Sequence, residues 1–338
     1  VAVFGIAYFL IATGRIPHAL VAILGAGALI FLDVLPEEEA LESVDLEVIL
    51  LLAGMMSLAH VVGRTGVFDW AALRSAQLVR GDGFWTLCLL AVLTAVASAF
   101  LDNVTVVVLA VPITLSLCRT LNLNPVPFLL SQVFASNIGG AATIVGDPPN
   151  IIIASKAGIG FVEFMANVAP VSIVSMGALM LLLYVWFRND MRTPQVNREL
   201  VMDENAGEAI RDRGLLTKSG IVLGFTVLGF LLQDVIDVRP AFVAITGAGV
   251  IVLIGRVDPH DVLRHVEWTT LAFFTGLFIL VGGLVETGVT TDLQEELVDL
   301  AGDSDRTLGF LIVWFSGVAS AIVDNIPFTA TMAQVVKQ

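Results

Sequence analysis

Charged residues are scarce in this sequence. They make up 14% of the 338 residues, whereas hydrophobic residues make up 57%. A soluble chain of this size carries about 25% charged residues to cover its surface. So few charged residues leave much of the surface apolar, which indicates that lipid surrounds the protein. Because a backbone in lipid must satisfy its own hydrogen bonds, we predict an all-α, polytopic membrane protein.

Cysteine is also scarce, and the common enzyme motifs are absent. Cys88 and Cys118 lie inside apolar runs, which excludes a disulfide scaffold and a cysteine metal cluster. The four histidines are scattered, without His-Glu-x-x-His spacing: His18, His60, His260 and His265. No P-loop and no nucleophile elbow is present. We therefore predict no enzyme, no cofactor and no resident metal, and the lack of a basic face excludes nucleic acid as a partner.

Long apolar runs are abundant instead. A helix needs about 20 apolar residues to cross the ~30 Å hydrocarbon core of a bilayer. We predict spans at 1–14, 17–35, 46–62, 126–155, 161–187, 218–236, 239–255 and 268–285. Two other stretches, 84–118 and 307–338, are apolar around one aspartate, Asp102 in the first and Asp324 in the second.

The basic residues predict the orientation of the chain. If 84–118 enters and leaves the membrane on one side as a re-entrant hairpin, 13 of the 17 Lys and Arg residues share a face. That face holds loops 63–82 and 188–217, and the positive-inside rule makes it cytoplasmic in a cell membrane. The external loops 33–47 and 286–306 hold seven acidic residues each.

The chain also contains an internal repeat, in which several segments match at one constant offset. The matching pairs are Val21–Gly27 with Val243–Gly249, Thr65–Val67 with Thr287–Val289, and Val96–Asn103 with Val318–Asn325. Under the charge assignment the two copies run in opposite directions, which is typical of secondary transporters. A duplicated bundle without a transport role is the alternative. The predicted domains are a first repeat (1–187), a cytoplasmic linker (188–217) and a second repeat (218–338) that ends after its hairpin.

Asp102 and Asp324 are equivalent under this repeat. A carboxylate at the bilayer centre costs about 2.5–3.5 kcal/mol, so its default interpretation is functional. Each aspartate is also a candidate cap for the second helix of its hairpin, and both roles can hold, since a hairpin tip needs a cap and an ion site needs oxygen atoms. Neighbouring oxygen atoms would complete a site for Na⁺ or a proton, from Asn103, Thr105, Asn325 and Thr329.

The segment from Ser136 to Asn150 cannot stay helical. Paired glycines precede Gly-Asp-Pro-Pro, and proline removes a backbone donor and restricts the residue before it. Since apolar residues continue on both sides, we predict a broken helix over 126–155 that lines a cavity, with a kinked helix as the alternative. The residues predicted to face a substrate are Asn137, Gly139, Gly140, Thr143 and Asn150. Asp147 is either a third site carboxylate or a helix cap.

Three segments are specific enough to suggest a family: Leu101–Thr105 (LDNVT), Ala135–Asn150 (ASNIGGAATIVGDPPN) and Asp324–Met332 (DNIPFTATM). They resemble the ion-transporter superfamily, and within it the arsenite permeases, the melanosomal P protein and related sodium/proton antiporters. Val266–Trp268 (VEW) adds to the likeness with the P protein. Relatives that carry dicarboxylates have Ser-Asn-Thr at the hairpin tip, where this chain has aspartates that would repel a dianion.

The resemblance implies a scaffold and a mobile transport domain, in which two re-entrant hairpins and two broken helices meet near the membrane midplane. It implies a secondary transporter in the lipid bilayer, coupled to H⁺ or Na⁺, that moves a small inorganic or organic ion by elevator-like alternating access. Arsenite or anion efflux is the first expectation. Na⁺/H⁺ exchange, citrate or dicarboxylate transport and a channel are the alternatives. A homodimer is expected, and assistance by an ATPase partner stays open.

Overall fold

The computed structural model describes residues 1–189, 191, 195–301, 305–322 and 325–337. Every regular element in this part of the chain is a helix. Five helices are long and apolar enough to cross a membrane: Leu46–Arg64, Asn103–Leu121, Phe161–Phe187, Arg213–Leu231 and Trp268–Glu286. The prediction of an all-α, multi-pass membrane protein is thereby confirmed.

The part of the chain that ends at Phe187 forms ten helices. They are α1 (Ala2–Thr13), α2 (His18–Phe31), α3 (Glu37–Glu42), α4 (Leu46–Arg64), α5 (Val67–Leu78), α6 (Gly83–Ser98), α7 (Asn103–Leu121), α8 (Pro125–Ala141), α9 (Pro148–Ala157) and α10 (Phe161–Phe187). The predicted stretch 84–118 thus consists of two consecutive helices, α6 and α7. The predicted span 126–155 is divided between α8 and α9.

The remainder of the described chain adds nine helices. They are α11 (Gln195–Asp203), α12 (Arg213–Leu231), α13 (Gln233–Ile236), α14 (Pro240–Gly255), α15 (Pro259–Arg264), α16 (Trp268–Glu286), α17 (Val289–Ala301), α18 (Asp305–Ile322) and α19 (Asn325–Lys337). A 3₁₀ turn, Ala206–Ala209, lies between α11 and α12.

Part of the predicted linker is helical. It contains α11 and the 3₁₀ turn, and α12 begins at Arg213, inside the predicted 188–217. Gln77 of α5 donates through Nε2 to the backbone oxygens of Val201 (3.1 Å) and Glu204 (2.8 Å). Arg198 pairs with Asp82 at 3.1 Å. These contacts attach the linker to α5 and to the start of α6, because polar backbone groups leaving α11 find donors there.

The helix bounds recur at the constant offset of the sequence repeat. Helix α3 at 37–42 corresponds to α15 at 259–264, and α4 at 46–64 corresponds to α16 at 268–286. Helices α5, α6 and α7 begin at 67, 83 and 103, and their counterparts α17, α18 and α19 begin at 289, 305 and 325. The secondary structure therefore agrees with a duplication, whereas the opposite orientation of the copies stays a prediction.

The chain folds into two compact units, and neither coincides with one repeat. Unit 1 contains residues 1–49, 151–159 and 267–338, and unit 2 contains residues 50–150 and 160–266. Each unit has the same close helix crossing. A Cβ built at Gly54 of α4 would lie 2.7 Å from the carbonyl carbon of Ala244, and one at Gly276 of α16 would lie 2.6 Å from that of Ala22. Gly54 and Gly276 are equivalent in the repeat, and so are Ala22 and Ala244. In each crossing, therefore, a helix of one repeat packs against a helix of the other repeat.

Candidate functional site

The junction between α6 and α7 places Asp102 at a helix start. Helix α6 ends at Ser98, and Asp102 is the N-cap of α7. The aspartate is buried, with 6% of its surface exposed. Its Oδ2 accepts two hydrogen bonds, from the backbone N–H and from the Oγ1 of Thr105, each at 2.9 Å. Asp102 therefore caps α7, and these two hydrogen bonds hold the buried carboxylate in place.

The second element of the site is the break between α8 and α9. Residues 142–147 are irregular, and α9 restarts at Pro148, which needs no hydrogen-bond partner for a backbone N–H. Asp147 immediately precedes α9, and its backbone oxygen accepts from the N–H of Asn150 at 3.0 Å. The Nδ2 of Asn150 donates to the backbone oxygens of Gly140 (3.1 Å) and Thr143 (2.8 Å). Asn150 therefore satisfies carbonyls that the break releases.

Hydrogen bonds connect the α6–α7 junction to the α8–α9 break. Ser98 donates through Oγ to the backbone oxygen of Ser136 at 2.8 Å, and Ser136 donates through Oγ to that of Asn103 at 3.3 Å. The Nδ2 of Asn103 donates to the Oδ1 of Asn137 at 3.3 Å. We call these groups, together with Asp102 and Thr105, the polar junction. It gathers amide, hydroxyl and carboxylate oxygens inside otherwise apolar helices.

Thr143 completes the connection from inside the break. Its Oγ1 donates to the backbone oxygen of Ala99 and accepts from the N–H of Gly146. The side chain is buried. In this structure Thr143 and Asn150 use their polar atoms to hold the break together, and their contact with a substrate stays a prediction.

The glycines of the break allow close helix packing. A Cβ at Gly139 would lie 2.5 Å from the Cα of Ala95, and a Cβ at Gly146 would lie 2.5 Å from the backbone oxygen of Ser98. A Cβ at Gly140 would lie 2.9 Å from the backbone oxygen of Gly146. Any larger residue would separate α8 from α6, so glycine is required here by packing.

The second predicted half-site belongs to unit 1. Asp324 lies outside the described residues. Asn325 is the first residue of α19 and is exposed, and Thr329 is half-buried one turn further along. The described structure therefore brings together Asp102, Asn103, Thr105 and Asn137 in unit 2, and it places Asn325 and Thr329 in the other unit.

Sequence reasoning missed several polar contacts. Ser98 lies inside the repeated motif Val96–Asn103, which could have marked it. A buried pair also connects α7 and α8, with the Nε2 of Gln132 donating to the Oγ1 of Thr114 at 2.8 Å. The histidines are not all scattered, because the rings of His60 and His265 stack with their centroids 3.8 Å apart. These two histidines are distant in the sequence, and only folding brings them into contact.

The sequence is similar to those of several proteins named as transporters or membrane proteins. A profile described as citrate transporter matches residues 8–338. The chain is 43% identical over 343 residues to an uncharacterized transporter of Mycobacterium tuberculosis, covering 100% of this chain and 80% of that protein. It is 41% identical over 342 residues to the 46 kDa membrane protein of Mycobacterium leprae, with the same coverage. It is also 33% identical over 417 residues to the P protein of Mus musculus, covering 99% of this chain and 50% of that protein.

Proposed function

The chain belongs to the citrate transporter family, and from that premise we propose that it is a secondary active transporter that couples the movement of a small ion to H⁺ or Na⁺. The observation that carries the proposal is Asp102, a buried carboxylate at the break between two apolar helices. Burying that charge without a function would cost free energy that a capping serine or asparagine would avoid.

The geometry of the polar junction suits a small hard cation or a proton. Asp102 offers carboxylate oxygens, and Asn103 and Asn137 offer amide groups beside it. Oxygen donors of this kind are the ligands of Na⁺-type ions, and a buried carboxylate can also carry a proton. A bound cation would neutralise Asp102, which would then tolerate an anionic substrate nearby. The membrane potential would supply about 2.3 kcal/mol per charge per 100 mV.

Three substrates follow from separate observations. The family description makes citrate the first to test. The motifs that resemble those of arsenite permeases make arsenite the second. Na⁺/H⁺ exchange without another substrate is the third, and the carboxylate of Asp102 favours it because a cation is what a carboxylate binds directly. An elevator-like movement, a homodimer and an ATPase partner belong to the same proposal and need tests of their own.

Reconstituted transport tests this proposal. The purified protein is placed in proteoliposomes that contain a pH-sensitive dye, and citrate, arsenite and Na⁺ are added in turn with and without a proton gradient. We expect one of them to trigger a saturable, gradient-dependent proton or Na⁺ flux. Flux that rises without saturation would indicate a channel instead, and no flux with any of the three would leave the substrate outside these classes.

Two aspartates provide matched variants for the coupling role. Asp82 caps α6 as Asp102 caps α7, with its side chain accepting from the N–H of Trp85, but it lies at the start of α6, away from the α6–α7 junction. Asparagine caps a helix as well as aspartate does and cannot ionise. We therefore expect Asp102→Asn to keep its thermal stability and lose coupled transport, and Asp82→Asn to keep transport. Wild-type coupling in Asp102→Asn would reduce Asp102 to a cap.

A further inference from the structure

Four polar side chains meet where α4 ends beside α15, in unit 2. We call His60, Arg64, Asp261 and His265 the basic corner. The Nε2 of His60 lies 3.4 Å from the Oδ2 of Asp261, and the Nδ1 of His265 lies 3.7 Å from its Oδ1. Arg64 donates to the same Oδ2 that faces His60. The polar junction uses none of these residues.

The equivalent positions of the other repeat show which of these side chains the shared helix framework requires. In unit 1 the equivalent positions are Gly282, Glu286, Glu39 and Ser43, which we call the acidic corner. The Oγ of Ser43 donates to the backbone oxygen of Glu39 at 2.7 Å, and the Nδ1 of His265 makes the equivalent bond to the backbone oxygen of Asp261, also at 2.7 Å. In unit 1 serine satisfies this backbone oxygen and glycine stands in place of His60, so the shared helix framework does not require the two imidazoles.

The donor atoms of the basic corner lie close together, and the stacked rings of His60 and His265 have to turn for both to point a lone pair at one ion. One donor atom each from His60, Asp261 and His265 lies within 4.8 Å of the other two. Two ligands on a tetrahedral zinc ion with bonds of about 2.0–2.1 Å lie about 3.3 Å apart, close to the 3.4 Å between His60 and Asp261. In its neutral form His265 donates through Nδ1 to a carbonyl and keeps a lone pair on Nε2, as metal-binding histidines do.

We propose that His60, Asp261 and His265 form a binding site for a divalent transition-metal ion of the zinc class. When the metal is absent, Arg64 forms an ion pair with the carboxylate of Asp261. Two imidazoles and one carboxylate favour such ions over Ca²⁺ and Mg²⁺, which prefer oxygen ligands. The side chains are 16%, 34% and 52% exposed in the order His60, Asp261, His265, so an ion can enter from solvent. The bound ion would connect the last turn of α4 to α15.

Competition with Arg64 predicts the direction in which the metal affinity changes when Arg64 is replaced. Arg64 and the metal would bind the same Oδ2 of Asp261, and a guanidinium beside the site repels a divalent cation. Removing the guanidinium should therefore strengthen metal binding. A purely structural ion pair between Arg64 and Asp261 predicts no such gain.

Zinc chloride titration of the purified full chain in detergent micelles, followed by calorimetry, tests the site. We expect one zinc ion per chain, affinity weakened at least about tenfold in His60→Gln and in His265→Gln, and affinity increased in Arg64→Gln. His260→Gln is the matched control, because His260 is exposed on the same short helix as Asp261 but is not one of the three ligands. Addition of cobalt chloride to the unmodified protein should give the intense visible absorption of a tetrahedral cobalt site. This measurement requires no variant.

Several outcomes would overturn the proposal. They are the absence of zinc binding by the unmodified protein and an unchanged zinc affinity in His60→Gln. A loss of zinc affinity in His260→Gln as large as that in His60→Gln, or the weak absorption of octahedral cobalt, would also overturn it. Because the titration does not depend on transport, these outcomes are separate from failure of the proposed function.

Discussion

The basic corner and the acidic corner occupy equivalent positions in the two repeats, yet their electrostatics are opposite. In the basic corner the carboxylate of Asp261 faces Arg64 and two histidines. In the acidic corner Glu39 faces a second carboxylate, Glu286, where the other repeat has Arg64. The backbone contact is the same in both. The two repeats therefore share the helix framework and differ in the side chains at this place, where one has a carboxylate pair and the other an ion pair.

The difference appears in the acidity of the two carboxyl groups. Loss of hydration, then the charge of Glu286 and a hydrogen bond with it, raise the pKa of Glu39 above its ordinary value of 4.5. Loss of hydration would also raise the pKa of Asp261, but the hydrogen bond from His60 and the charge of Arg64 outweigh it and lower that pKa. Glu39 therefore keeps its proton to a higher pH than an isolated glutamate, and Asp261 releases its proton at a lower pH than an isolated aspartate. Solvent screens both effects, because both groups are accessible.

The largest effects should come from breaking the crossing that both repeats share. Gly54→Ala and Gly276→Ala would each force a Cβ against the backbone of a partner helix, and we expect each to destabilise the protein by about 1–3 kcal/mol. Thermal unfolding in detergent measures the effect. Gly27→Ala and Gly249→Ala are matched controls, because a Cβ at either meets nothing within 4 Å and alanine favours helix. If only one crossing glycine were sensitive, the two crossings would not be equivalent.

A smaller effect concerns the pH dependence of the acidic corner. Since the pKa of Glu39 is raised, its contribution to stability is complete below its ordinary value of 4.5 and is lost as the pH rises through the raised value. Glu286→Gln removes the charge of its neighbour, so we expect the melting temperature to depend less on pH just above 4.5. Unfolding scans between about pH 4 and 8 measure this.

The control for the acidic corner is Glu38→Gln, an exposed glutamate on the same helix as Glu39 that is not among the groups raising its pKa. It removes one negative charge from the helix that carries Glu39. An identical change in pH dependence in both variants would show that net charge, rather than the pair of Glu39 and Glu286, controls the acidic corner.

The smallest effect on stability should come from giving the basic corner the serine that the acidic corner has. His265→Ser introduces the residue that Ser43 provides in the other repeat, and its Oγ can make the same bond to the backbone oxygen of Asp261. We expect a change in stability within about 0.5 kcal/mol, as for an exposed substitution. Chemical or thermal unfolding measures it. A large loss would mean that the stacked imidazoles stabilise the fold, and the comparison with Ser43 would fail.

Much of the architecture was readable from apolar runs and from local chemistry. The predicted spans 46–62, 161–187 and 268–285 match α4, α10 and α16 closely, because a helix in lipid must satisfy its own backbone. The break after Ala141 followed from glycine and proline. The role of Thr143 was not readable, because its acceptor, the backbone oxygen of Ala99, is 44 residues away.

The sequence by itself determined the class of protein, the positions of the helices and the internal repeat, since composition, hydrophobic runs and local breakers act within short stretches of the chain. Only the tertiary structure decided that each compact unit combines helices from both repeats, and that His60 meets Asp261 and His265. Such contacts depend on which helix faces pack together, and no spacing along the chain encodes that choice.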